Sequence, residues 1–295
     1  MANLKEVRNR IASVQSTQQI TKAMKMVSAA KLKRATNAII ALRPYATKLK
    51  EILGNLSASL EGSSSPFIQE REPNKVLIVT VSSNRGLAGA FNMNVIKAAN
   101  NLIAEKYSKQ LQNGNVSIIS IGKKTQDFYE KRKYNVIGNN NEVFSALTFE
   151  NVTKVTDAIM AGFEKGEFDR VEVIYNRFRN AAVQFITTEQ LLPLVKAEET
   201  AKTEVKSTNV DYILEPSKEE IVEQLIPKSI KIQLYKAVLD SHASEHGARM
   251  TSMDKATENA GELLKALKLS YNQARQAAIT TELTEIVSGA AALNG

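Results

Sequence analysis

Cysteine and tryptophan are absent from this chain, and its only histidines are His242 and His246. Without cysteine there is no disulfide framework, no thiolate metal site and no thiol nucleophile, although the absence does not by itself fix a compartment. Nor does any window approach about eighteen consecutive apolar residues, and the opening MANLKEVRNR lacks the apolar stretch of a secretory signal. The expectation is a cytoplasmic chain that does not span a membrane. Aromatic residues are 6% of the 295, thin for a single large globule, and alanine-rich polar segments dominate both ends. Long helices fit that composition better than one compact ball.

What is present is uneven in charge. Residues 1–50 hold eleven Lys or Arg against one acid, Glu6, a local charge of +10; the chain total is +8, so the remainder is −2. Nucleic acid, anionic lipid and acidic protein surfaces all reward such a segment through the same long-range attraction. Charge alone does not choose among them.

From Leu4 to about Leu56 the only proline is Pro44, expected to bend the segment slightly, and the first glycine is Gly54. Apolar residues recur at Leu4, Val7, Ile11 and Val14, then at Leu42, Ala46, Leu49, Leu53 and Leu56, the three-and-four rhythm of a coiled coil. Between them, about Ser16 to Lys33, alanine, methionine, threonine and glutamine replace large apolar residues, so the seam there is close-packed or faces a polar partner. EGSSSPF, residues 61–67, reads as a linker. KVLIVTVSS (75–83) and VSIISIG (116–122) read as strands separated by a helix over 91–111, a parallel α/β unit. Further helices are expected at 124–132 and 149–165, and residues 170–194 read as an antiparallel pair turning near Arg179 to Ala182. A polar stretch, 196–207, reads as exposed and mobile.

After Pro216, Ser217 reads as the N-cap of a short helix ending at Pro227. A longer helix then follows from Lys228 to about Leu293, on the order of 90 to 100 Å at about 1.5 Å per residue. Its late seam is Leu264, Leu267, Tyr271, Ala274, Ala278 and Thr281. Two long terminal helices are best satisfied by packing on each other, because a small middle domain cannot cover either stripe. The fold expected is therefore α/β, with a long antiparallel coiled coil of the N- and C-terminal helices flanking a central Rossmann-like α/β domain. The segments are 1–60 (first helix), 61–74 (linker), 75–215 (central α/β foot) and 216–295 (final helices). The last turns, ending IVSGAAALNG, are expected to project as a lone helix that needs a surrounding socket.

Four segments resemble the ATP synthase gamma family, in the family's order: RIASVQSTQQITKAMKMVSAAKLKRA (10–35), SSNRGLAGAFN (82–92), ASEHGARMTSMDKATENA (243–260) and ITTELTEIVSGAAA (279–292). The resemblance implies a non-catalytic central rotor shaft within a hexameric ring of alpha and beta subunits. Its foot would rest on the membrane c-ring together with the epsilon subunit, at the cytoplasmic face of the inner membrane. Proton-driven rotation of that ring would change the conformation of the catalytic beta subunits, with no nucleotide, metal or other cofactor held by this chain, no nucleic acid partner and no direct membrane insertion. By position, the resemblance puts Lys22, Met24 and Lys25 against acidic catalytic-subunit lobes. It puts Arg275, Gln276, Thr280 and Glu282 near the loops around the shaft, and makes Tyr212 and Glu215 of DYILEP foot contacts. Ala88 stands where some relatives have cysteine, and the plant-type insertion with its regulatory cysteines is missing, so no thiol switch is expected.

Two motifs point elsewhere. HASEH, His242 to His246, fits the H-x-x-E-H pattern of inverted zinc peptidases, with two imidazoles on one helix face at i, i+4. The third ligand, however, is unidentified, and the ordinary alternative is a pair of interface histidines. GKKT, 122–125, follows a strand as the end of a phosphate loop would, but Ser117 stands where the first glycine is needed. Gly86 and Gly89 likewise lack the first glycine of G-x-G-x-x-G, whose place Asn84 takes. Glu219 and Glu220 point different ways on a helix and read as solvated surface. A basic coiled coil binding nucleic acid through residues 1–50 and a zinc peptidase are the rival readings. The first would want aromatic or arginine-rich readout elements, and that segment has one tyrosine and mostly dispersed lysines.

Overall fold

A computed structural model describes residues 4–57, 65–194 and 218–293. The chain divides into two compact units, Met1–Ser28 with Arg249–Gly295, and Ala29–Ala248. Each unit takes one part of α1 (Leu4–Ser57) and one part of the final helix, α6 (Lys218–Leu293).

The larger unit is built on a sheet of β1 (Val76–Val81), β2 (Val116–Ile121), β3 (Asn135–Val136), β4 (Arg170–Phe178) and β5 (Gln184–Leu192). Their spatial order is β3-β2-β1-β4-β5. The first four are parallel and β5 runs antiparallel to β4, Phe178 facing Gln184 across the hairpin. Both central strands are buried at every residue. That is why their sequences, VLIVTV and VSIISI, are rich in β-branched residues with no charged position: a sheet covered on both faces has no wet side. Val76, Ile78, Val116 and Ile118 face a core completed by Val95, Ala99, Leu102 and Ile103 of α2 (Phe91–Lys106) and Tyr129 of α4 (Lys123–Lys131). The short α3 (Ser108–Gln112) carries the chain from α2 toward β2. Leu77, Val79, Val81, Ile119 and Ile121 face the opposite core, shared with α5 (Phe149–Glu164) and with Ile226, Ile230, Leu234 and Val238 of α6. Thr148 caps α5, its side chain accepting the Asn151 N–H.

The parallel unit, the helices near 124–132 and 149–165, and the antiparallel pair turning near Arg179 stand as the sequence indicates. Pro227 does not: it lies inside α6, which begins at Lys218 as one helix, instead of ending a short helix before a second one. Proline removes one hydrogen bond and crowds the preceding turn. Here Ile226 and Ile230, on either side of it, are fully buried against the sheet, and that burial holds the helix through the break. The linker 61–67 lies mostly outside the described residues, and the polar stretch 196–207 wholly so.

Within this unit α6 is seated on the ends of the sheet strands by small residues. The Ser241 hydroxyl donates to the Val81 carbonyl at 3.3 Å and the Ser244 hydroxyl to the Asn176 carbonyl at 2.8 Å, both side chains buried. Gly247 admits the β4–β5 hairpin, since a Cβ there would lie 3.1 Å from the Ala181 Cα. On the other side Ala35 and Ile39 of α1 pack with Leu239 and Ala243.

The tightest point in the unit is Gly122, where β2 meets α4. Its φ is +117°, and a Cβ there would stand 2.4 Å from the Ser82 carbonyl oxygen. Gly122→Ala is expected to cost about 2 to 4 kcal/mol. Gly114→Ala, at φ +73° with nothing within 4 Å of the added carbon, is expected to cost about 1 kcal/mol. Thermal unfolding followed by circular dichroism measures both, and equal losses would contradict the crowding at Gly122.

Candidate functional site

In the smaller unit the least exposed residues of α1 fall at Leu4, Val7, Ile11, Val14, Gln18, Thr21, Lys25 and Ser28, alternating steps of three and four. Those of α6 fall at Met250, Met253, Thr257, Ala260, Leu264, Leu267, Tyr271, Ala274 and Ala278. These are two heptad seams. They pack antiparallel: Lys25 bonds Asp254, and the Arg8 guanidinium donates to the Tyr271 hydroxyl at 2.9 Å. The seam of α1 is apolar at its start and polar from Gln18 onward. There the Thr257 hydroxyl donates to Thr21 Oγ1 at 2.8 Å, and a Cβ on Gly261 would meet the Gln18 amide at 3.0 Å.

The seam of α6 ends at Ala278, one step short of the Thr281 expected from the sequence pattern. Thr281 is exposed, as is every residue from 279 to 292. The physical reason lies in α1: the Arg8–Tyr271 pair shows its first turns already level with residues near 271, so the partner stripe runs out just beyond. On this unpaired end Ile279, Leu283, Ile286 and Val287 follow i, i+4, i+7 and i+8, one apolar stripe that is about half to two-thirds exposed.

The residues singled out from the sequence are distributed as follows. Lys22 is exposed, and Met24 is partly covered. Lys25 turns into the seam, where Asp254 holds it. Arg275, Gln276, Thr280 and Glu282 are exposed on α6, and the Thr280 hydroxyl donates to the Gln276 carbonyl at 2.9 Å within the helix. From Asp254 to Arg275 is 21 residues of α6, about six turns. Lys22 with Met24 and Arg275 to Glu282 are therefore two separate surfaces. Tyr212 and Glu215 lie outside the described residues. Asp254 and Thr257 were missed as seam partners. Continuing the Leu264, Leu267, Tyr271 rhythm backward by heptads lands on Ala260, Thr257, Met253 and Met250, which is the signal that finds Thr257 and sets Asp254 beside the seam.

Neither competing motif forms a site. At GKKT the first N–H groups of α4 are already used: Lys123 donates to Asn84 Oδ1, Lys124 to the Ser83 carbonyl and Thr125 to Ser82 Oγ, at 3.0, 3.1 and 3.2 Å. A phosphate would have to displace all three, so the SSNRG and GKKT turns hold each other. In HASEH the rings of His242 and His246 meet edge to face at 4.5 Å, and Phe144 stacks on His242 at 5.7 Å. Among the described residues no three His, Cys, Asp or Glu side chains are grouped as a metal would require. No helix among them is long and apolar enough to cross a membrane.

Comparison with known proteins decides the matter. The family described as ATP synthase matches residues 3–293. ATP synthase gamma chains from Cytophaga hutchinsonii and Flavobacterium johnsoniae are each 58% identical to this chain over the full length of both. The chain belongs to the ATP synthase gamma-chain family. Its fold is shared with a chain of the mitochondrial ATP synthase of Euglena gracilis, at a TM-score of 0.65 and 22% identity, covering 98% of this chain and 94% of that one. A chain of the Tetrahymena thermophila central stalk and c-ring structure gives 0.58 at 24% identity, covering 80% and 99%. In this chain the histidines and the glycine turns are taken up by packing.

Two buried groups of α6 give this packing a pH dependence. Burial raises the Asp240 carboxyl to about 6 despite Lys236, Arg43 and Arg177, with Glu189 reinforcing the rise. Burial, with Lys31 adding, lowers His242 to about 4. The folded chain therefore holds the Asp240 proton more tightly than the unfolded one, and stability is lost as pH rises from about 4 to about 6. It resists protonation of His242, and stability is lost as pH falls from about 6.5 to about 4. Relative to the parent, Asp240→Asn should have a higher thermal midpoint at pH 7, the advantage shrinking toward pH 4. His242→Gln should show the reverse trend, its advantage growing as pH falls. Midpoint differences that do not change with pH would contradict both assignments.

Proposed function

We infer that this chain is the central shaft of an F-type ATP synthase, a non-catalytic subunit that carries rotation between a membrane ring and the catalytic beta subunits. The observation that carries the reading is the end of α6. A helix that leaves its partner at Ala278 and continues with Ile279, Leu283, Ile286 and Val287 exposed is unfavourable in water. It becomes favourable inside a close-fitting collar. The hexameric ring of alpha and beta subunits supplies that collar. Arg275, Gln276, Thr280 and Glu282 face its loops, while Lys22 and Met24 face acidic lobes of the catalytic subunits.

The coupling follows from asymmetry. A shaft whose two helices differ in sequence offers each surrounding catalytic subunit a different face, so the open and closed states of those subunits differ in free energy at any shaft angle. Turning the shaft shifts their populations in sequence. Lasting adhesion at one angle would trap the motor, which suits the small side chains Ala23, Ala29 and Ala30 beside Lys22 and Met24. The residues of DYILEP, with Tyr212 and Glu215, would meet the c-ring and the epsilon subunit. With those contacts the chain would sit peripherally, at the cytoplasmic face of the inner membrane.

Mixing the chain with alpha and beta subunits tests the reading. A complex containing one copy of this chain, with ATPase activity that no component shows alone, is expected. Failure of the three to associate would overturn it. Leu283→Lys with Val287→Lys, two charges on the apolar stripe, should weaken assembly about tenfold or more. Thr281→Lys, on the opposite face of the same turns, should assemble as the parent does.

A further inference from the structure

The smaller unit presents a contrast that the shaft reading does not use. The α1 seam opens apolar at Leu4, Val7, Ile11 and Val14, yet its last four positions in this unit are Gln18, Thr21, Lys25 and Ser28. Three of them meet a polar or small residue on α6: Lys25 meets Asp254, Thr21 meets Thr257 and Gln18 meets Gly261. Apolar seam layers are interchangeable, because leucine packs against leucine as well one heptad up or down as in place. Polar layers are not, because each needs its own partner.

Register in this unit is therefore tied to few residues. The pairs Lys25–Asp254 and Arg8–Tyr271 are each 17 residues apart, on α1 and on α6 alike, so no insertion or slip lies between them. Sliding the helices by one heptad sets Lys25 opposite Gly261 in one direction and Asp254 opposite Gln18 in the other. Neither offers a countercharge, and both separate Thr21 from Thr257. Arg8–Tyr271 lies at the exposed end of the pair and has no such second layer beside it.

We propose that the Lys25–Asp254 pair, with Thr21 and Thr257 beside it, is the register lock of the two helices, and that Lys25 serves this internal role in place of contacting a partner. Half-exposed ion pairs add little stability. The function of this one is to make every other register worse, as a buried polar residue does in shorter coiled coils. The proposal stands on the helix pair alone and holds or fails independently of the shaft reading.

The absence of native cysteine makes the register directly readable in the full-length chain. Val14→Cys with Leu264→Cys reports the register seen here, while Val14→Cys with Tyr271→Cys and Val7→Cys with Leu264→Cys report slips of one heptad in either direction. Under mild oxidation the parent should close only the first pair. Lys25→Leu with Asp254→Leu should raise a slipped product about tenfold or more, as should Lys25→Asp alone, which sets two carboxylates together. Adding Asp254→Lys to Lys25→Asp should return the chain to the first pair only. Slipped products that stay at the parent level in both Lys25→Leu with Asp254→Leu and Lys25→Asp would overturn the lock. So would slipped products persisting in the charge-reversed double variant.

Discussion

A helix cannot leave its apolar stripe in water, and the length of α6 makes that constraint govern everything else in the chain. Over Ile226 to Val238 the stripe is covered by the sheet, and over Met250 to Ala278 by α1. From Ile279 onward no described residue covers it. The sheet, the first helix and the missing collar are three answers to one requirement, and the third makes this a component of a larger assembly.

The same requirement shapes the side chains along the helix. Where α6 meets strand ends it carries Ser241, Ser244 and Gly247, small enough to let backbone approach, and the two serines donate to strand carbonyls. Where it meets a single helix it carries a heptad seam. Beyond that helix, from Ile279 to Leu293, it carries a mixture of apolar, small and charged residues. The histidines of HASEH fall in the first region, which explains both their burial and the aromatic stacking around them.

Much of this was legible in the residues, and what was not has identifiable causes. The β-branched runs of β1 and β2 admit no other structure, and the rhythm of Leu264, Leu267 and Tyr271 places the late seam. Pro227 misled because proline's local cost is fixed while the burial that offsets it, at Ile226 and Ile230, exists only once the sheet is formed. Thr281 misled because a stripe can continue in sequence after its partner helix has ended. Two-residue β3 carries too little pattern to be seen at all. Lys25 was set against a partner by the family resemblance alone, and nothing in the residues around it marks its tie to the second helix. Only the opposing Asp254, more than two hundred residues away in sequence, turns it inward. The gamma-family resemblance supplied the partners, which no periodicity could have named.

The central claim is that this chain turns inside a ring of catalytic subunits and that its rotation is coupled to their reaction. The most direct measurement fixes the alpha and beta subunits to a surface, attaches a visible probe to the end of this chain away from the tip, and records its angle during ATP hydrolysis. Sustained rotation in one direction, stopping when ATP is withdrawn, is the predicted result. A probe that stays at one angle while the assembled complex hydrolyses ATP at its full rate would contradict it.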